Sequence, residues 1–252
     1  MDREAGTGVK TLDRVISKAG IGSRTQARAW IAGGRVRVNG AVVRSPDQWV
    51  RVKKDRVTFD GKALEAPVLT YVLLYKPKGY VTTYKDPDGR PTVYDLIQEV
   101  PHYVGTVGRL DLDTSGLLLL TNDHELADRL TSPEYHVEKE YLVKASTVLS
   151  DDQLHRLRGG IELDDGLTRR ARVERVRDSE KYTHLTITLT EGRNRHRMLE
   201  AVGSKVLKLV RVRFGPLRID NLKIGAWRPL TVGEAAALRR LVKLDAHRKS
   251  QR

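Results

Sequence analysis

Four consecutive leucines, Leu117 to Leu120, sit in the middle of the chain within GTVGRLDLDTSGLLLLTND, residues 105–123. So short and so apolar a run predicts a strand buried in a sheet. A buried strand needs a core around it, and 252 residues can supply one without metal or disulfide staples. Other strand-like runs are VLTYVLLY, KEYLVKAS, THLTITLT and KVLKLVRVRF; helical runs are HELADRL, SDDQLHRLR, the RHRMLEAVG region and GEAAALRRLV. Strands bunch together instead of alternating regularly with helices. That predicts an α+β fold with an antiparallel-rich mixed sheet.

The first sixty residues read differently. Residues 1–10 carry no periodicity and are expected to be a disordered leader. In TLDRVISKAG, Leu12, Val15 and Ile16 share one helical face, with Gly20 as a stop. Ser23 is placed to cap a second helix, SRTQARAWIAGG, whose apolar face is Ala27, Trp30 and Ile31. Then Val36 and Val38 alternate with Arg35 and Arg37, and Asn39-Gly40 supplies a hairpin turn. The unit is a small helix-helix-hairpin module. A DG turn closes it in RVTFDGKALEAP, and Pro67 suits a linker.

Charge indicates a partner. With 46 Lys+Arg against 32 Asp+Glu the formal net charge is +14, and the sequence pI is about 10.0. Such a positive field attracts polyanions, because neutralising phosphates releases condensed counterions. Arg14, Lys18, Arg24, Arg28, Arg35 and Arg37 cluster in the small module and, with Ser23, form the expected RNA-contacting face. Cysteine is absent, which excludes disulfides, thiolate metal sites and Cys nucleophiles together. The start has no apolar signal core and no stretch approaches the ~18 apolar residues of a membrane span, so the expectation is a cytoplasmic protein with no membrane partner.

A polar cluster precedes the leucines: Arg109, Asp111, Asp113, Thr114, Ser115 and Gly116. A carboxylate beside a guanidinium, in a loop anchored by a core strand, suits nucleophilic or acid/base work. A turn stabilised by Asp113 or Thr114 is the structural alternative. Local chemistry alone leaves Asp111 and Asp113 both open.

Residues 11 to about 58, through GIGSRTQARAWIAGGRVRVNG, resemble the alpha-L RNA-binding motif. GRLDLDTSGLLLLTND resembles the signature of pseudouridine synthases that modify bacterial ribosomal RNA, and further blocks follow in the family's order. Together they resemble the RsuA/RluB type. The resemblance implies that Asp111 is catalytic, that Arg109 organises the site and helps replace the flipped base, and that Asp113 is supporting. YKPKGYVTT, residues 75–83, matches a block that is mostly architectural. KEYLV implies an active-site tyrosine, here Tyr141, able to stack on an extruded uracil or to move a proton. Read from the residues alone, a strand aromatic packed in the core is the favoured reading of Tyr141.

The block EGRNRHRMLEAVG, residues 191–203, departs from the family pattern. The family has here a helix whose Arg or Lys pairs with the catalytic Asp, and this block is about two residues shorter. Registered from EGRN, Met198 takes the basic position; registered from AVG, His196 or Arg197 does, with Arg195 as a neighbour able to substitute. Arg197 is the residue expected beside Asp111, and Arg193 and Arg195 are expected at RNA phosphates.

The implied organisation is a leader at 1–10, an alpha-L RNA-binding domain at 11–60, a catalytic domain at 68–243 and a basic tail at 244–252. The implied activity is isomerisation of one uridine in ribosomal RNA, expected in the large subunit (23S), by a monomer acting on rRNA or a pre-ribosomal particle and not on DNA. All atoms of pseudouridine are already in uridine, so no cofactor or metal is expected. A non-catalytic RNA-binding or ribosome-assembly factor would fit the basic module but leaves GRLD unexplained. A metal nuclease on Asp111, Asp113 and Asp123 fails because a four-leucine strand, at ~3.3 Å per residue, separates Asp123 from the others.

Overall fold

A computed structural model describes residues 8–164, 166–190 and 195–245, and they divide into two compact units. The first takes in the described residues up to Tyr71 together with Gln98–Gly105 and Thr121–His124. It begins with β1 (Val9–Thr11), α1 (Leu12–Lys18), α2 (Arg24–Ala32), β2 (Val36–Val38) and β3 (Ala41–Val43). It continues with β4 (Trp49–Arg51), β5 (Val57–Phe59) and β6 (Lys62–Ala63). Val9 and Lys10, assigned to the leader from sequence, pair with β4 through β1. Leu12, Ile16, Ala27 and Ile31 are fully buried against Val36, Val50 and their neighbours, so the two helices close on a small sheet ordered β3-β2-β5-β6. Burying each large aliphatic contributes about 2 kcal/mol.

Local signals are realised where the chain needs them. Ser23 and Gln26 form a reciprocal capping box at the start of α2. Asn39 and Gly40 both take left-handed backbone angles, φ 51° and 86°, which a two-residue hairpin turn requires.

The second unit supplies the large sheet. Its first half holds β7 (Tyr71–Lys76), β8 (Gly105–Thr106), β9 (Ser115–Thr121), α3 (His124–Thr131), β10 (Lys139–Ala145) and α4 (Asp151–Gly159). A short hairpin follows, β11 (Glu162–Leu163) and β12 (Gly166–Leu167), then β13 (Arg172–Asp178), β14 (Thr183–Leu189) and α5 (Arg195–Ala201). The chain ends with β15 (Val206–Phe214), β16 (Leu217–Arg218), β17 (Trp227–Pro229) and α6 (Val232–Leu241). The main path across the sheet is β13-β14-β10-β15-β9-β7-β17. Pairings β13–β14, β14–β10, β10–β15 and β7–β17 are antiparallel, whereas β15 and β9 run parallel. The fold is α+β with a mostly antiparallel mixed sheet. All seven residues of β9 are buried, as the leucine run requires.

Two assignments change. β13 carries no strand pattern in the sequence, because its two valines are diluted among Arg172, Glu174, Arg175 and Arg177 at the sheet's edge. The expected tail at 244–252 starts later: Leu244 is buried and Asp245 pairs with Arg239 at 2.9 Å, so both belong to the folded unit, and the remainder lies outside the described residues.

Candidate active site

Asp111 opens a tight turn. Its carbonyl accepts from the Thr114 amide at 3.0 Å, and β9 starts at the next residue. The same carbonyl accepts from Lys76 Nζ at 3.0 Å, which also donates to the carbonyls of Pro77 (3.0 Å) and Thr114 (2.8 Å). Lys76 is wholly buried, and its three donors are matched to three acceptors. Burial pushes this ammonium down to about 8, against the opposing pull of Asp111 and Asp113.

The far side of the turn is fastened to residues 79–82. Thr82 Oγ1 donates to the Leu110 carbonyl at 2.6 Å and accepts from the Leu110 amide at 3.3 Å, while the Gly79 amide donates to the Leu112 carbonyl at 3.0 Å. The backbone around Asp111 is therefore held from two sides while the Asp111 and Asp113 side chains face outward. Arg109, two residues earlier, is exposed as well.

Beneath the turn, β9 and β15 approach closely. Gly116 lies opposite Arg211 with φ +116°, and a Cβ there would stand 2.3 Å from the Arg211 carbonyl oxygen. Only glycine permits this crossing. Arg211 is 3% exposed and donates from Nε to the Leu117 carbonyl at 2.7 Å. On its other side Arg211 pairs with Tyr141 of β10, itself 1% exposed and paired with Ile187 of β14. The structure thus gathers the Asp111 turn, Lys76, Arg211 and Tyr141 around the parallel strand pair. The Tyr141 ring is packed into the core, so stacking on a base requires it to be uncovered.

Arg197 has a described partner on a neighbouring hairpin. It lies on α5, whose last carbonyls are held by α4: Gln153 Nε2 donates to Val202 at 2.6 Å and Arg156 to Ala201 at 3.3 Å. From there Arg197 Nη2 donates to Asp164 at 3.3 Å, on the turn between β11 and β12. The hairpin tip thus supplies one carboxylate contact to Arg197, with Asp164 fully exposed. Arg193 and the side chain of Arg195 lie outside the described residues. The described cations beneath the Asp111 turn include Lys76, assigned only an architectural block from sequence, and Arg211, one of several basic residues in a strand pattern. No signal in the pattern KVLKLVRVRF distinguishes Arg211 from Arg213.

A model of the RNA pseudouridylate synthase family matches residues 70–197, and one of the S4 domain matches residues 10–57. A relative from Aquifex aeolicus (strain VF5), an uncharacterized RNA pseudouridine synthase, is 42% identical over 92% of this chain and 95% of its own length. The chain belongs to the RNA pseudouridine synthases. It is an isomerase acting on RNA, of the RsuA/RluB type, with an N-terminal S4 RNA-binding domain. The ribosomal large subunit pseudouridine synthase B of Bacillus subtilis (strain 168) is 39% identical over 92% of this chain and 97% of its own. The similarly named protein of Yersinia pestis is 38% identical over 95% of this chain and 78% of its own. A solved pseudouridylate synthase superposes with a TM-score of 0.64 at 32% identity, covering 90% of this chain and 99% of that one.

In the S4 domain of this synthase, most of the expected RNA-contacting residues also have partners within the module. Arg24 Nη2 and Arg28 Nη1 both bond the buried carboxylate of Asp13, at 2.8 and 3.1 Å, and Arg28 extends to Asp47 at 2.8 Å. Arg35 pairs with Asp60 and lies over the rings of Phe59 and Trp30, at 4.7 and 5.6 Å from their centroids. Arg37 donates to the Gly40 carbonyl at 3.1 Å. Ser23 is occupied as a helix cap. Arg14 is half-buried and Lys18 exposed. Among the described residues no group of three or more His, Asp or Glu is placed to hold a metal ion, and no helix is long and apolar enough to cross a membrane.

Proposed function

We propose that this synthase converts one specific uridine of large-subunit (23S) ribosomal RNA to pseudouridine, with Asp111 as the reacting carboxylate. The observation that carries the substrate reading is the match, over more than nine-tenths of this chain, to two relatives named ribosomal large subunit pseudouridine synthase B. The outward-facing carboxylate on a rigidly held turn supports the choice of residue. In this reading residues 9–60 bind RNA, 68–245 carry the chemistry, and the partner is rRNA or a pre-ribosomal particle bound by a monomer.

The reaction breaks the N1–C1′ bond, turns the base and joins C5 to C1′, releasing the hydrogen of C5. The target must first leave its stack, at a cost of a few kcal/mol that contacts to structured RNA offset. Asp111 acts as nucleophile at C1′ or as base at C2′. Tyr141, in the strand row of Arg211, contacts the uracil once the ring is uncovered, and Arg109 fills the vacated stack. Arg197, whose described contact is to Asp164, remains the cation proposed beside Asp111.

Transcripts labelled with tritium at uridine C5 test this directly. The expected result is tritium release from 23S fragments and not from 16S fragments, reduced at least ~10³-fold by Asp111→Asn with RNA affinity retained. Release from 16S alone overturns the substrate. An inactive Asp113→Asn beside an active Asp111→Asn overturns the residue.

A further inference from the structure

Tyr84 projects from the loop between β7 and the Asp111 turn and remains 42% exposed. Of the aromatic residues among those described, only Trp49 of the S4 domain is likewise exposed. An exposed aromatic ring is unremarked on most surfaces; what distinguishes Tyr84 is how firmly its loop is held and to what it is held.

The base of the loop is closed by Val81 and Thr92, which form a bridge, with the Val81 amide donating to Pro91 at 2.9 Å and the Val93 amide to Val81 at 3.0 Å. Its tip is stapled by Asp86. That carboxylate accepts from the Asp88 amide at 3.2 Å and the Arg90 amide at 3.0 Å, and from the Arg90 guanidinium at 2.9 and 2.7 Å. The Arg90 bonds hold Asp86 down at about 2, so the staple is ionised throughout the physiological range. Tyr84 itself packs edge-on against Tyr94, with centroids 5.0 Å apart and planes at 67°. That geometry fixes the ring while leaving part of it to solvent.

The loop is also joined to the reaction centre. Thr82, two residues before Tyr84, makes the reciprocal hydrogen bonds with Leu110, the residue before Asp111. A ring fixed this close to the Asp111 turn, in a protein of formal net charge +14 that acts on RNA, has an evident ligand. RNA bases pulled out of a helix are stabilised by stacking on aromatic side chains, and a pre-ordered ring loses little freedom in doing so.

We propose that Tyr84 is a stacking platform for an unpaired base of the substrate RNA flanking the target uridine, and so a positioning residue for the isomerisation. This rests on the reading of the protein as a synthase acting on structured rRNA. The ring sets how the strand enters the site, while Asp111 acts on the nucleotide beside it.

The test uses the full-length protein and fragments of 23S rRNA. Tyr84→Leu is expected to raise KM and the RNA Kd about 10-fold, within the range that loss of one base–aromatic stack gives. Tyr84→Phe should stay within about twofold of wild type, because the ring face and not the hydroxyl makes the contact. The salt slope of binding should not change, since no phosphate contact is lost. Tyr84→Trp gives a signature that does not depend on turnover: the introduced indole should be quenched when the RNA binds, and its quenching should saturate with the binding curve. Unchanged KM and Kd in Tyr84→Leu, a Phe variant as weak as the Leu variant, or an indole insensitive to RNA would each overturn the proposal. If 23S fragments are bound and quench the indole but release no tritium from wild-type protein, the substrate reading fails and the stacking site stands.

Discussion

The S4 domain and the catalytic unit both depend on positive charge and use it in opposite ways. In the S4 domain Arg24 and Arg28, with side chains 55% and 44% exposed, share the buried carboxylate of Asp13. In the catalytic unit Lys76 and Arg211 are buried, and their described hydrogen bonds run to backbone carbonyls of the Asp111 turn and β9. A surface guanidinium held by a carboxylate can still turn a free N–H toward a phosphate, because water screens the rearrangement. A buried ammonium bonded to three carbonyls has no such latitude; moving it strands acceptors in a dry interior. Charge near the surface is available for binding, and charge in the interior fixes geometry.

The largest effect should come from breaking the interior arrangement. Lys76→Met removes the donor shared by Pro77, Asp111 and Thr114 and is expected to cost about 3 kcal/mol of stability, with turnover falling alongside it. Thermal unfolding with a circular dichroism readout measures this. A Tm within a degree of wild type would erase the distinction drawn between the two regions.

Arg24→Ala should cost less, about 1 kcal/mol after screening, because Asp13 keeps Arg28 and Thr11 as partners. RNA binding should weaken, with the slope of log Kd against log salt shallower by about one unit if Arg24 also reaches a phosphate. Combining it with Asp13→Asn separates the roles. Recovery of stability without recovery of binding is the expected pattern, and recovery of both would make Arg24 purely structural.

The smallest effect is on pH dependence. Lys76 titrates at about 8 in the folded chain against 10.5 for a free lysine. The folded state therefore sheds this proton first, and the group's contribution to stability rises with pH between those two values. Turnover should move the other way, declining less than about tenfold with a midpoint near 8 as the ammonium that holds the Asp111 turn loses a donor. Rate profiles from pH 7 to 9.5 check it; a Lys76→Arg variant that folds should show no such decline, since a guanidinium stays charged.

What was legible before the structure was local. The strand-like run KEYLVKAS, the leucine run of β9, the Ser23 cap and the Asn39-Gly40 turn each need only residues within one turn or strand, and each formed. The illegible parts involve partners far apart in the chain. Asp13 reads as an ordinary acidic residue in a first helical turn, yet it is wholly buried because arginines 11 and 15 positions later close over it. Arg197 contacts Asp164, 33 positions earlier, a pairing that no local pattern announces.

The sequence by itself determined the α+β class, the helix-helix-hairpin module and the presentation of Asp111 just ahead of a buried strand. Those follow from short-range periodicity, capping and turn chemistry. Tertiary structure decided which cation stands under that aspartate and which arginines are tied down. A charge's partner depends on where strands cross, as at Gly116 and Arg211, and the crossing is set by packing between segments some 94 residues apart.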